Sequence, residues 1–305
     1  MAIFSFTTKG QIMTDGLKPW NSAEKEAWFQ GQKIQRSYQT DVVDRLTALP
    51  ADKFDLETYG ALSHDPARYP LYVVKSKPWN DDNPTILITG GVHGYEDSGI
   101  TGALRFLEEE AAQYADKVNF VVYPCVSPLG YEINHRWNRK AEDPNRHFFA
   151  GGTAEESRQL MTSVESLKLH FRAAVDLHET NYRDIGITAE RRARDGQQFE
   201  AGDDFIPEGF YLVVPSTADV ALGHDVIEAV RKVTPISVDP EILGYKSDKG
   251  VIVIDDVNTL LQDFARKHAD VGMTTEIYPD KATKKEAEDA QIATIKTVVA
   301  FALKP

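Results

Sequence analysis

His93 and Glu96 stand three residues apart in Gly90-Gly91-Val92-His93-Gly94-Tyr95-Glu96, just after an apolar stretch, and another histidine closes Asp176-Leu177-His178. Two imidazoles and one carboxylate form the ligand set of a catalytic zinc ion, which keeps a fourth position open for water. The chemistry such a set supports is metal-assisted hydrolysis. His-x-x-Glu puts both side chains on one side of a helix or tight turn that begins there. The glycines at 90, 91 and 94 let the backbone turn sharply after a strand. Zinc, one ion per chain, is favoured over cobalt or manganese by the ligand types.

These residues need a frame that brings them together. Leu71–Val74, Thr85–Thr89, Asn119–Tyr123, Ala173–Leu177, Phe210–Val214 and Met273–Ile277 read as strands, with the turn signal Asp81-Asp82-Asn83-Pro84 between the first two. Gly99–Tyr114, Ala154–Leu169, Ala218–Lys232 and Lys284–Leu303 read as helices between or after them. The first 50 residues read as mostly helical, with Ser22 capping a helix from Ala23 to about Leu46 that Pro50 ends. The alternation predicts an α/β fold whose mixed, mainly parallel central sheet is flanked by helices. Ligand sites in such sheets lie at the carboxyl ends of the strands, and His93, His178 and Glu276 all fall at or just past such ends. The expectation is one catalytic domain over residues 1–305, with 1–55 a helical N-terminal extension packed on it.

A second motif follows the strand at 119–123. Arg136-Trp137-Asn138 is succeeded by Asp143-Pro144-Asn145-Arg146-His147-Phe148, and Thr274-Thr275-Glu276-Ile277-Tyr278-Pro279 comes near the end of the chain. In this order the motifs resemble the zinc carboxypeptidase family of the carboxypeptidase A and B type, over roughly Tyr72 to Leu303. The resemblance implies the zinc carboxypeptidase, phosphorylase/hydrolase-like fold, with His93, Glu96 and His178 as zinc ligands. It makes Asp143 the carboxylate that orients the first zinc histidine, and Arg136 the guanidinium that stabilises the oxyanion. Asn145 and Arg146 would bind the terminal carboxylate of a peptide, and Glu276 would be the general base. Tyr245, in Gly244-Tyr245-Lys246, is the nearest candidate for the family's mobile-loop tyrosine, at a longer spacing from Glu276 than the family's. The family's Asn-Pro-Asp-Gly turn appears here as Ser127-Pro128-Leu129-Gly130, and Tyr95 replaces the arginine often found within His-x-x-Glu.

Each role has a physical basis. A carboxylate behind a ligating imidazole fixes its tautomer. A guanidinium fork pairs bidentately with a carboxylate, and another near the metal meets charge developing on a carbonyl oxygen. Asp255-Asp256 would suit a basic side chain, so the reading leans weakly towards peptides ending in Lys or Arg. The basic cluster Arg191-Arg192-Ala193-Arg194 faces either an acidic substrate or solvent.

The expected activity is hydrolysis of the C-terminal peptide bond of peptides that carry a free carboxylate. The alternative is an N-acyl amino acid amidohydrolase of the aspartoacylase and succinylglutamate desuccinylase type, which shares the His-x-x-Glu, Asn-Arg and His elements. A non-catalytic binding protein of the same fold is disfavoured because the three ligands and Glu276 are all present. A net charge of −13 and a pI near 5.1 argue against nucleic acid as a partner. No run is long enough for a membrane span. The single cysteine, Cys125, sits in an apolar stretch and reads as core filler, and no signal peptide is apparent, so the expected location is the cytoplasm. The sequence leaves the oligomeric state open.

Overall fold

The computed structural model describes residues 17–304. Its strands in chain order are β1 (Phe54–Ala61), β2 (Pro70–Ser76), β3 (Thr85–Gly90), β4 (Asn119–Tyr123), β5 (Ala173–Glu179), β6 (Tyr211–Val214), β7 (Glu241–Ile242), β8 (Tyr245–Lys246), β9 (Val251–Val253) and β10 (Gly272–Ile277). The α-helices are α1 (Ser22–Gln30), α2 (Asp44–Thr47), α3 (Asp97–Glu109), α4 (Pro128–Glu132), α5 (Glu155–Leu167), α6 (Arg183–Arg194), α7 (Val220–Val230), α8 (Leu261–Arg266) and α9 (Lys284–Ala302).

Eight strands form one sheet in the order β1-β2-β4-β3-β5-β10-β6-β9, while β7 and β8 make a separate hairpin. The central run β4-β3-β5-β10 is parallel throughout. Antiparallel pairing begins on either side of it, at β2 against β4 and at β6 against β10, and β9 then lies parallel to β6. The α/β architecture expected from the alternation is therefore present. Side chains alternate across the sheet. Ile86 and Ile88 of β3 face a core shared with Ile100, Leu104, Val226 and Ile295, so α3, α7 and α9 cover that face. Leu87 faces the opposite way, towards Leu160 and Val164 of α5 and Phe264 of α8.

The helix expected from Ala23 to Leu46 is interrupted. α1 is capped by Asn21, whose side chain accepts from Ala23 N and Glu24 N, and it stops at Gly31. The chain becomes helical again in a π-helical turn, Gln39–Val43, that runs into α2. No residue of α1 is buried, whereas Tyr38, Val42, Val43 and Leu46 enter the main core. Residues 1–16 of the expected extension lie outside the described residues. No helix among the described residues is long and apolar enough to cross a membrane.

The loop between α4 and α5 is tied to the body by a buried carboxylate. Glu156, on the first turn of α5, accepts from Asn138 Nδ2 at 3.1 Å. Burial pushes its carboxyl from an ordinary 4.5 up to about 7. The folded state thus holds a proton that the unfolded chain releases, and stability falls as pH rises from about 4.5 to 7. Glu156→Gln is expected to remove that fall, gaining on the order of 2–3 kcal/mol over the wild type between acid and neutral pH. Urea unfolding of both proteins at the two ends of this range measures it, and parallel pH dependences would refute it.

Candidate metal centre and active-site cavity

The carboxyl ends of β3, β5 and β10 meet at one edge of the sheet. Leu177 lies beside Gly90 in the β3–β5 register, and Glu276 lies beside His178 in the β5–β10 register. Beyond β3 the chain turns through Gly91 at φ +65°, a conformation that L side chains rarely adopt. A Cβ at Gly94 would collide with the backbone of Tyr131, so glycine there lets the His93 loop press directly on α4. Glu96 then occupies the N-cap position of α3.

This turn brings His93, Glu96 and His178 together, all buried, with ligand atoms within 4.8 Å of one another. His93 Nδ1 lies 2.7 Å from Glu96 Oε1, His178 Nδ1 lies 2.7 Å from Glu96 Oε2, and the two Nδ1 atoms are 3.1 Å apart. Burial would raise the Glu96 carboxyl, but the two imidazoles hold it below its ordinary range. A tetrahedral ion with bonds of about 2.0–2.2 Å needs donors separated by roughly 3–3.5 Å. The three side chains therefore need only small outward shifts to hold a divalent cation.

Both histidines are backed by carboxylates on their other nitrogen. His93 Nε2 lies 3.0 Å from Asp143 Oδ1, and His178 Nε2 lies 2.7 Å from Asp176 Oδ2. Such partners fix each imidazole so that its Nδ1 would face a cation held among the three side chains. The sequence reading assigned the first of these and missed Asp176. Its position two residues before His178 on a strand places both side chains on one face, which was the available signal.

Asp143 does more than face His93. Its Oδ1 accepts from Asn145 N at 2.9 Å and its Oδ2 from Arg136 Nε at 2.9 Å. Burial would raise its carboxyl, but Arg136, His93 and Arg146 hold it well below the usual carboxylate range. Arg136 also points its NH1 between Glu96 at 3.8 Å and Asp184 at 3.9 Å. Asp184 is held by the Tyr95 hydroxyl and by Asn181 N at 2.7 Å, so Tyr95 braces the start of α6.

A cavity of about 440 Å³ opens beside the histidines, lined among others by His93, Arg136, Asp143, Asn145, Arg146 and Glu276. Asn145 Oδ1 accepts from Leu261 N at 2.8 Å, which leaves its amide nitrogen to donate. Arg146 donates from NH1 to Asn145 O at 2.8 Å, and no carboxylate among the described residues lies within ion-pair distance of it. Its side chain is exposed at the rim of the cavity. Glu276 Oε2 accepts from Thr180 Oγ1 at 2.6 Å, and burial pushes this carboxyl up to about 8. Glu179, Thr180 and Asp184 also line the cavity without a role expected from the sequence, and so does Arg191, whose basic cluster the sequence left facing either an acidic substrate or solvent.

Tyr245 is placed elsewhere. It belongs to β8, its hydroxyl donates to Asp256 Oδ1 at 2.7 Å, and it does not line the cavity. Asp255 and Asp256 do not line it either, so the weak lean towards a basic terminal residue loses the pair of carboxylates it rested on. The turn of the β7–β8 hairpin instead contributes Leu243.

No protein-family model matches the chain, and no curated protein does so. Solved structures do. A protein from Shewanella amazonensis SB2B, provisionally named a metallopeptidase, is 24% identical with a TM-score of 0.69, over 88% of this chain and 98% of that one. A metallo-carboxypeptidase from Burkholderia cenocepacia is 13% identical with a TM-score of 0.57, over 92% of this chain and 69% of that one. Bovine thrombin-activatable fibrinolysis inhibitor is 12% identical with a TM-score of 0.59, over 90% of this chain and 99% of that one. Identities this low speak to architecture alone, and the architecture of this chain is the metallocarboxypeptidase fold.

Proposed function

We propose that the chain is a zinc metallocarboxypeptidase that hydrolyses the C-terminal peptide bond of peptides. The observation that carries this reading is the placement of Arg146. A guanidinium without a carboxylate within ion-pair distance among the described residues lines the same cavity as the metal-type histidine His93 and the half-buried Glu276. A free terminal carboxylate supplies the missing partner, and docking it there brings the last peptide bond towards the histidines.

Two imidazoles and a carboxylate, each imidazole backed by a further carboxylate, suit zinc. When bound, the ion would supply Lewis acidity, polarising a carbonyl and easing loss of a proton from water. Arg146 and the free amide of Asn145 hold the substrate carboxylate, one by charge and the other by a directed hydrogen bond. Arg136, fixed through Nε by Asp143 and through NH1 by Glu96 and Asp184, keeps NH2 for the oxygen on which charge develops. Glu276 takes the proton from the attacking water and passes it to the leaving amine. Its surroundings raise this carboxyl in the metal-free chain, and a cation held by the neighbouring ligands would lower it again, towards the ionised form a base needs near neutral pH.

The test is amino-acid release from a panel of blocked dipeptides and simple N-acyl amino acids, with and without a chelator. Chelator-sensitive release from the dipeptides is the expected result. Cleavage of the acyl amino acids alone would replace this reading with that of an N-acyl amino acid amidohydrolase.

A further inference from the structure

α6 carries three arginines near its end, and the structure separates their duties. Arg192 clasps Asp203 through Nε at 2.8 Å and NH2 at 2.9 Å. Arg194 clasps Asp195 at 2.8 and 3.0 Å, donates to Ala141 O at 2.8 Å and lies over the Trp137 ring at 4.6 Å. Arg191 has no hydrogen bond or ion pair from its side chain among the described residues, and it lines the cavity. It also shares an adjoining depression of about 300 Å³ with Arg146 and Lys25. One guanidinium with a single backbone hydrogen bond and one with none thus border the same space.

Carboxylates lie near both, with Asp143 and Glu276 acting on Arg146 and Asp203 and Asp195 on Arg191, but none pairs directly with either guanidinium. Asp203 belongs to Arg192, and Asp143 to Arg136 and His93. Asp184 is occupied by the Tyr95 hydroxyl and Asn181 N. Arg146 and Arg191 each disfavour the other's charge less once a ligand brings two negative groups between them. An apolar terminal side chain would leave Arg191 unpaired and partly desolvated, and a basic one would be repelled.

Resting on the carboxypeptidase reading, we infer that Arg146 and Arg191 form a two-guanidinium receptor for a terminal residue bearing two carboxylates, so that the enzyme selects peptides ending in glutamate or aspartate. Arg146 takes the α-carboxylate, and Arg191 takes the side-chain carboxylate.

Matched blocked dipeptides ending in Glu or Gln, and in Asp or Asn, isolate the side-chain charge at nearly constant shape. The wild type is expected to favour the acidic member by about tenfold or more in kcat/KM, as one charge-assisted hydrogen bond allows. Arg191→Ala should bring that ratio close to one, Arg191→Lys should keep part of it, and Arg191→Glu should turn the preference towards a terminal lysine. A merely structural role for Arg191 would lower the acidic and amide substrates in parallel, and that result would overturn the inference. So would a wild type that releases Gln as fast as Glu, although the peptidase reading would then stand. Release from none of the peptides by the metal-loaded wild type would instead remove the peptidase reading itself, and the inference with it. Thermal melting of Arg191→Ala, compared with the wild type, checks that the variant is folded when the ratio is read.

Discussion

Glu276→Gln is expected to load metal like the wild type and to lose about three orders of magnitude in kcat, within the range of about 10²–10⁴ that a positioned acid–base group supplies. The side chain is not among the ligand atoms gathered by His93, Glu96 and His178. Its contact to Thr180 Oγ1 is one that an amide oxygen can also accept. The substitution therefore removes proton transfer while leaving shape and donor set in place. Metal content and kcat measured on one preparation separate the two effects. Near-normal turnover would take the base role away from Glu276, and loss of metal would place it in the metal site instead.

Arg146→Ala acts on recognition. A guanidinium that forks onto a carboxylate in a half-enclosed cavity contributes about 3 kcal/mol, so kcat/KM for peptides with a free terminus should fall by about two orders of magnitude. Peptides with an amidated terminus lack that anion and should change little, which collapses the preference for free over amidated ends. Asp143 keeps Arg136 Nε and Asn145 N as donors in this variant, so the first histidine stays oriented. An unchanged preference between free and amidated substrates would remove Arg146 from carboxylate binding.

What the sequence made legible divides along physical lines. β3, β4 and β5 are buried on both faces, and such strands read as continuous apolar runs that any hydropathy pass finds. The chemical residues sit directly after such runs or at their ends, and for that reason His93, His178 and Glu276 could be placed on one sheet edge. α6 escaped because only Ile187 of its twelve residues is buried, leaving no apolar stripe to mark it. β1 escaped because it is an edge strand whose Phe54 alone is fully buried and whose pairing with β2 shifts between Thr58 and Gly60. α1 and α2 were fused because nothing apolar marks the break after Gly31. Asp176 shows the reverse case: its position on the strand was read correctly, and its duty depends on the direction of the His178 ring, which spacing does not encode.

Asp143 serves His93, Arg136 and the backbone of Asn145 at once, whereas α6 brings Arg191 to the cavity on a separate element. The site therefore has one part whose groups are tied together and another that stands on its own. On the proposed function, a change at Asp143 would disturb ion, oxyanion and carboxylate handling together. A change of terminal-residue preference can instead be written at Arg191 alone, which makes no side-chain hydrogen bond or ion pair among the described residues.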